Sequence, residues 1–117
     1  MVTCYPEGAK YVRHTDNSCT HGAGARCNGR RLTAIGYLNP PADDDTAGAL
    51  RIFHPGPLTS AARVDVQPLL DRLVLFYANE RTPHAVLPAE KPRFAVTIWY
   101  YDELEAAELQ TNLTMLP

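Results

Sequence analysis

Short apolar runs broken by turn residues set the pattern of this chain. Ten prolines and seven glycines punctuate its 117 residues. Between them lie stretches rich in β-branched and aromatic side chains, the signature of strands joined by turns. The runs predict strands at 2–6, 10–14, 31–38, 49–53, 63–66, 71–77, 84–88 and 93–101. Glu7-Gly8-Ala9, between the first two, reads as a short hairpin turn. Segments 15–29 and 39–48 read as loops. The first is polar and small throughout; the second carries Pro40, Pro41 and the run Asp43-Asp44-Asp45. One helix is expected after the last strand. Asp102 can cap it, Glu105 stands at capping-box spacing, and Leu104, Ala107 and Leu109 form a weak apolar stripe. The expected class is all-β, a sandwich or barrel with a C-terminal helix.

The strand at 93–101 carries the most information. Successive side chains of a strand point to opposite faces. Arg93, Ala95, Thr97 and Trp99 therefore share one face, and Phe94, Val96, Ile98 and Tyr100 the other. The second face is wholly apolar and must be covered. A single short helix is thin cover for a sheet, so part of the cover is expected to lie outside this chain. The first face mixes a charge and a hydroxyl with apolar groups, as the wall of a polar pocket does.

Composition narrows the classes. A chain of this length fits one domain with a real core. Hydrophobic content of 45% with 21% charged residues excludes a disordered chain. Eleven Lys and Arg against 13 Asp and Glu give a net charge of −2, with no basic run, so neither a nucleic-acid nor a membrane partner is expected. No apolar stretch approaches the ~20 residues of a membrane span, and residues 1–6 do not resemble a secretory signal. Three cysteines do not make a disulfide framework, which points to a reducing compartment.

Candidate chemistry starts at His14-Thr15-Asp16. In extended chain its imidazole and carboxylate point to one side and can reach one metal ion. Alone, a surface histidine beside a turn aspartate is the commoner meaning of that spacing. His84, opening another predicted strand, supplies a third ligand. Two histidines and one carboxylate form the facial triad of non-haem Fe(II) oxygenases, with three coordination positions left open. Arg93 begins the next strand. A guanidinium inside a β-barrel needs an anion, and its planar fork suits a carboxylate. Thr97 shares its face. Tyr5 and Tyr37 lie on other predicted strands, as phenolic donors or as plain core.

The blocks MVTCYPEGAKYVRHTDN, GRRLTAIGYLN, LRIF, DRLVLFYANERTPHAV and RFAVTIWYYD resemble the catalytic core of the hypoxia-inducible-factor prolyl hydroxylases, which are Fe(II)- and 2-oxoglutarate-dependent dioxygenases. The resemblance covers residues 1–103, in order and with the family's spacing from His84 to Arg93. It implies a double-stranded β-helix, or jelly roll, of eight strands over 1–103, with a helix and tail at 104–117. The second and seventh strands neighbour each other in that fold. It implies that His14, Asp16 and His84 hold iron, and that Arg93 binds the distal carboxylate of 2-oxoglutarate with Tyr37 and Thr97 helping. Tyr5 would lie on the opposite side of the co-substrate, and Tyr11, Arg30 and Trp99 near a bound substrate peptide. The implied activity is hydroxylation of a proline at C4 in a target protein. Molecular oxygen is consumed, 2-oxoglutarate yields succinate and CO₂, and ascorbate keeps the iron reduced. An oxygen-sensing role in the cytoplasm or nucleus follows from the same resemblance.

The sequence departs from the family in places. Loop 17–28 is longer than usual and holds Cys19, His21 and Cys27. Pro40-Pro41-Ala42 replaces a tryptophan-bearing stretch, and Tyr77 stands where a tryptophan is common. The N-terminal helices that back the family's larger sheet have no counterpart in this sequence. Related oxygenases act on other proteins, such as ribosomal or translation proteins, and a truncated, non-catalytic domain is the rival of a different class. Three ligands on the Cys19–Cys27 loop make a poor zinc signature. His54, before Pro55-Gly56-Pro57, reads as a loop histidine, and Asp43-Asp44-Asp45 as a solvated acidic loop.

Overall fold

The computed structural model describes residues 1–18 and 28–115. Cys19, His21 and Cys27 lie outside the described residues. Eight strands appear in order: β1 (Val2–Tyr5), β2 (Tyr11–His14), β3 (Arg30–Tyr37), β4 (Leu50–Phe53), β5 (Ala62–Val66), β6 (Leu73–Tyr77), β7 (His84–Val86) and β8 (Arg93–Tyr101). A helix, α1 (Glu103–Thr114), follows. All eight expected strands and the helix form, with ends shifted by a few residues. β6 starts late because Asp71 takes a left-handed backbone, at φ 65°, and turns the chain just before it.

The strands build two four-stranded sheets of order β1-β8-β3-β6, the major sheet, and β2-β7-β4-β5, the minor sheet. Every strand pair is antiparallel. Consecutive strands β1 and β2 fall in different sheets, so Glu7-Gly8-Ala9 does not close a hairpin. Gly8, at φ +80°, makes a turn that crosses between the sheets. Its N–H donates to the Ala89 carbonyl, and the Ala89 N–H donates to that of Ala9. The turn thus pairs with the β7–β8 connection, which satisfies backbone groups that a hairpin would have paired locally.

The inner faces of the sheets enclose one core of Ile35, Tyr37, Leu50, Phe76, Val86 and Ala95. The inward residues of β8 are Arg93, Ala95 and Thr97, all buried. The outer face of the major sheet is apolar and open: Val2, Leu32, Leu73, Leu75, Tyr77, Phe94, Ile98 and Tyr100 are all exposed. Helix α1 does not cover it, and Leu104 and Ala107 of its expected stripe face solvent. Asp102 does cap the helix, its Oδ1 accepting the Glu105 N–H at 2.9 Å. The reciprocal arm of a capping box is absent, because the Asp102 N–H donates to the Gly29 carbonyl. Among the described residues no helix is long and apolar enough to cross a membrane.

Candidate metal centre and co-substrate pocket

His14 closes β2 and His84 opens β7, and the two are register partners across that antiparallel pair. Asp16 stands two residues beyond His14 as the chain leaves the strand. Its Oδ1 lies 3.3 Å from His14 Nε2 and 3.4 Å from His84 Nε2. One ligand atom from each residue falls within 4.8 Å of the others. Each imidazole is oriented from behind by a backbone carbonyl two residues upstream: His14 Nδ1 is 2.8 Å from the Val12 oxygen, and His84 Nδ1 is 2.9 Å from the Thr82 oxygen. A carbonyl only accepts, so each Nδ1 carries the proton and donates. In the neutral rings both Nε2 atoms then aim lone pairs at a carboxylate oxygen. Three acceptors converging on one point need a cation between them, and this donor set suits a divalent transition metal.

The surroundings hold the triad in place. The His84 ring packs edge-on against Phe76 at 4.7 Å and tilts against His14 at 4.3 Å, and Tyr11 packs on His14 at 4.2 Å. The second carboxylate oxygen, Asp16 Oδ2, accepts from Thr33 Oγ1 at 2.6 Å and from the Trp99 indole N–H at 3.3 Å. Burial works to raise the Asp16 pKa. With an Nε2 proton on each imidazole, hydrogen bonds from His14, His84 and Thr33 together outweigh it and hold the carboxyl well below the usual range. The Arg30 guanidinium lies 3.7 Å over the Trp99 ring, its buried Nε without a hydrogen-bond partner among the described residues.

Deeper between the sheets stands Arg93, 5% exposed. Its Nε donates to the Gly48 carbonyl at 2.7 Å, and its charge sits 5.4 and 5.1 Å from the Tyr5 and Tyr37 ring centres. Among the described residues no carboxylate pairs with it. Burial pushes the Arg93 pKa down and the neighbouring phenols push it back up. Among the described residues the buried Tyr37 hydroxyl has no hydrogen bond of ordinary length, and the Arg93 guanidinium is the polar group beside it. Burial raises the Tyr37 pKa, against the opposing field of Arg93. A buried cation beside an unpaired hydroxyl is costly unless an anion joins both. Gly48 admits this arrangement. It has φ +65°, and a Cβ there would stand 3.1 Å from Arg93 Cδ.

A cavity of about 340 Å³ joins the two parts. Its wall includes Tyr5, Tyr11, His14, Asp16, Arg30, His84, Arg93, Thr97 and Trp99, so nine of the ten singled-out residues line one space, with Tyr37 buried in the adjoining core. Residues 1–101 match the family model of the 2OG-Fe(II) oxygenase superfamily. The chain belongs to this superfamily. Among its relatives, the prolyl hydroxylase EGLN3 of Mus musculus is 44% identical over 99% of this chain and 45% of its own length. The hypoxia-inducible factor prolyl hydroxylase of Caenorhabditis elegans is 42% identical over 90% of this chain and 13% of its own. A solved prolyl hydroxylase from Trichoplax adhaerens, in complex with a peptide fragment of the hypoxia inducible factor oxygen degradation domain, superposes with a TM-score of 0.74. It is 39% identical over 92% of this chain and 44% of that one. The chain thus spans less than half the length of these relatives. The superfamily's jelly roll, its Fe(II) and its 2-oxoglutarate agree with the donor set and the unpaired Arg93–Tyr37 corner.

Sequence reasoning passed over several groups at this site. Thr33 alternates with Ile35 and Tyr37 on β3, so period-two counting places it inward. Gly48 sits in a loop with no local signal of its partner. The Val12 and Thr82 carbonyls carry no side-chain signature, although each stands two residues before a histidine.

Proposed function

We propose that this chain carries the iron and co-substrate site of a 2-oxoglutarate-dependent prolyl hydroxylase, acting on a proline at C4 in a protein of the hypoxia-inducible-factor type. The observation that carries the reading is the meeting of two groups in one cavity: three acceptor atoms facing one point, and a buried guanidinium with no carboxylate partner among the described residues. His14, Asp16 and His84 would hold Fe(II) through two imidazoles and one carboxylate. Arg93 and Tyr37 would bind the distal carboxylate of 2-oxoglutarate, Arg93 through its planar fork and Tyr37 through its hydroxyl. Iron held there would supply the oxygen chemistry, in which one O₂ is divided between 2-oxoglutarate, which loses CO₂ to give succinate, and the proline ring, which gains a hydroxyl.

The protein's own work is orientation. The upstream carbonyls fix both histidine tautomers. Thr97 and Tyr5 shape the co-substrate's walls. Tyr11, Arg30 and Trp99 line the mouth, where Arg30 over Trp99 offers a cation to an approaching peptide. Ascorbate as a reductant, oxygen sensing as a role and a cytoplasmic or nuclear site of action belong to the same proposal. The similarity to prolyl hydroxylases over most of the chain supports it.

The test is succinate release by purified protein with Fe(II), 2-oxoglutarate, ascorbate and a panel of proline peptides. Peptides of the hypoxia-inducible-factor type should drive turnover and gain one oxygen on proline. Turnover driven by another protein's peptide would move the substrate assignment; none with any peptide, from folded protein, would favour a non-catalytic domain.

A further inference from the structure

We propose that Thr33 is a positioning residue that holds the metal-binding carboxylate in one-oxygen coordination. The proposal rests on the iron-site reading above and adds a group to it. Asp16 lies on the stretch leaving β2, in the minor sheet, just before a long connection. Both donors to its Oδ2 come from the other sheet. Thr33 and Trp99 are register partners on β3 and β8, the central pair of the major sheet. The Thr33 bond is the shorter, at 2.6 Å against 3.3 Å, and Thr33 is one of the most buried side chains of the molecule. Asp16's backbone is held as well, its carbonyl accepting from Asn28 Nδ2 at 2.6 Å.

A carboxylate with two free oxygens can chelate a cation through both. Here Oδ2 already accepts two hydrogen bonds and Oδ1 alone faces the imidazoles. That geometry limits Asp16 to one coordination position and leaves others for co-substrate and oxygen. It also fixes a ligand borne on irregular chain to the central strand pair of the major sheet, and groups behind a metal ligand set its orientation. A threonine that merely satisfied its own hydroxyl in the core would not affect the metal.

The experiment is anaerobic titration of the full chain with Co(II), comparing wild type, Thr33→Val, Thr33→Ser and His84→Ala. Trp99 is the sole tryptophan, so quenching of its fluorescence reports metal beside Asp16, and the cobalt visible bands report coordination. Far-UV circular dichroism checks the fold. Thr33→Val keeps the volume and loses the donor; it should weaken Co(II) binding by roughly 10- to 100-fold and alter the visible bands. Thr33→Ser should restore both. If Thr33→Val misfolds, Thr33→Ala against Thr33→Ser makes the same comparison. Wild-type affinity and bands in Thr33→Val, with binding lost in His84→Ala, would overturn the role of Thr33 alone. Undiminished binding in His84→Ala would overturn the iron-site reading and this proposal with it.

Discussion

On the inner face of β8, Arg93, Ala95 and Thr97 are 5%, 2% and 6% exposed; on its outer face, Phe94, Ile98 and Tyr100 are 44%, 54% and 56% exposed. The same strand thus buries a charge and a hydroxyl and exposes three large apolar groups. The rest of the major sheet repeats the inversion. Thr33 faces inward beside Ile35 and Tyr37, while Leu73, Leu75 and Tyr77 face outward. A soluble one-sided sheet normally does the reverse. Each face therefore asks for a partner of a different kind. The inner face brings three acceptor atoms to one point and sets a buried guanidinium nearby, groups whose chemistry suits a metal and a dicarboxylate together. No described residue covers the apolar outer face, and exposed patches of this kind mark contact surfaces.

Changes on the inner face should produce the largest effects. His84→Ala removes one of two imidazoles and should abolish metal-dependent succinate formation while the protein still folds; full activity in that variant would break the triad. Arg93→Ala strips the buried cation from its anion. It should cost about 2–5 kcal/mol of co-substrate binding, the range for truncating one side of a buried charge pair. A titration of activity against 2-oxoglutarate reads this directly, and an unchanged requirement would refute the role.

The outer face should answer differently. With the face bare, Leu75→Lys should change stability by no more than about 0.5 kcal/mol and should reduce binding of an apolar dye. If another segment or molecule covers the face in solution, the same substitution should cost about 1.5–3 kcal/mol, the value of a buried leucine. Thermal melts with dye titration separate the two.

The smallest effect lies away from both faces, on the β4–β5 ladder, where Arg51 grips Asp65 with two bonds of 2.8 Å. Hydrogen bonds from Arg51 hold the Asp65 carboxyl below its ordinary pKa, against the upward push of burial. The unfolded chain therefore binds the proton more tightly. The pair's contribution is present at neutral pH and is lost as pH falls below about 4. The pair is partly exposed, so Asp65→Asn should cost only about 0.2–1 kcal/mol at pH 7 and less in acid. Denaturation curves at the two pH values check this.

The strands were legible because proline, glycine and polar clusters mark where each run ends. The inversion on β8 was legible too, since alternation alone separates Arg93 and Thr97 from Phe94 and Ile98. Pairing was not. Glu7-Gly8-Ala9 looks like a local hairpin, yet the Gly8 N–H and the Ala9 carbonyl both bond to Ala89, in the β7–β8 connection. Nothing in periodicity brings His14 opposite His84; family resemblance supplied that neighbourhood. The ligands and Arg93 were legible because their chemistry is unusual on strands. Thr33 and Gly48 were not, because a threonine in a strand and a glycine in a loop are ordinary until the side chains they hold are seen.

The most direct measurement is an anaerobic titration of the purified chain with Fe(II), with and without 2-oxoglutarate, followed by visible absorption. The account predicts a weak charge-transfer band that needs both components, vanishes in His84→Ala and shifts to much higher 2-oxoglutarate in Arg93→Ala. A folded sample that binds Fe(II) and 2-oxoglutarate independently, or shows no band with both, would contradict it.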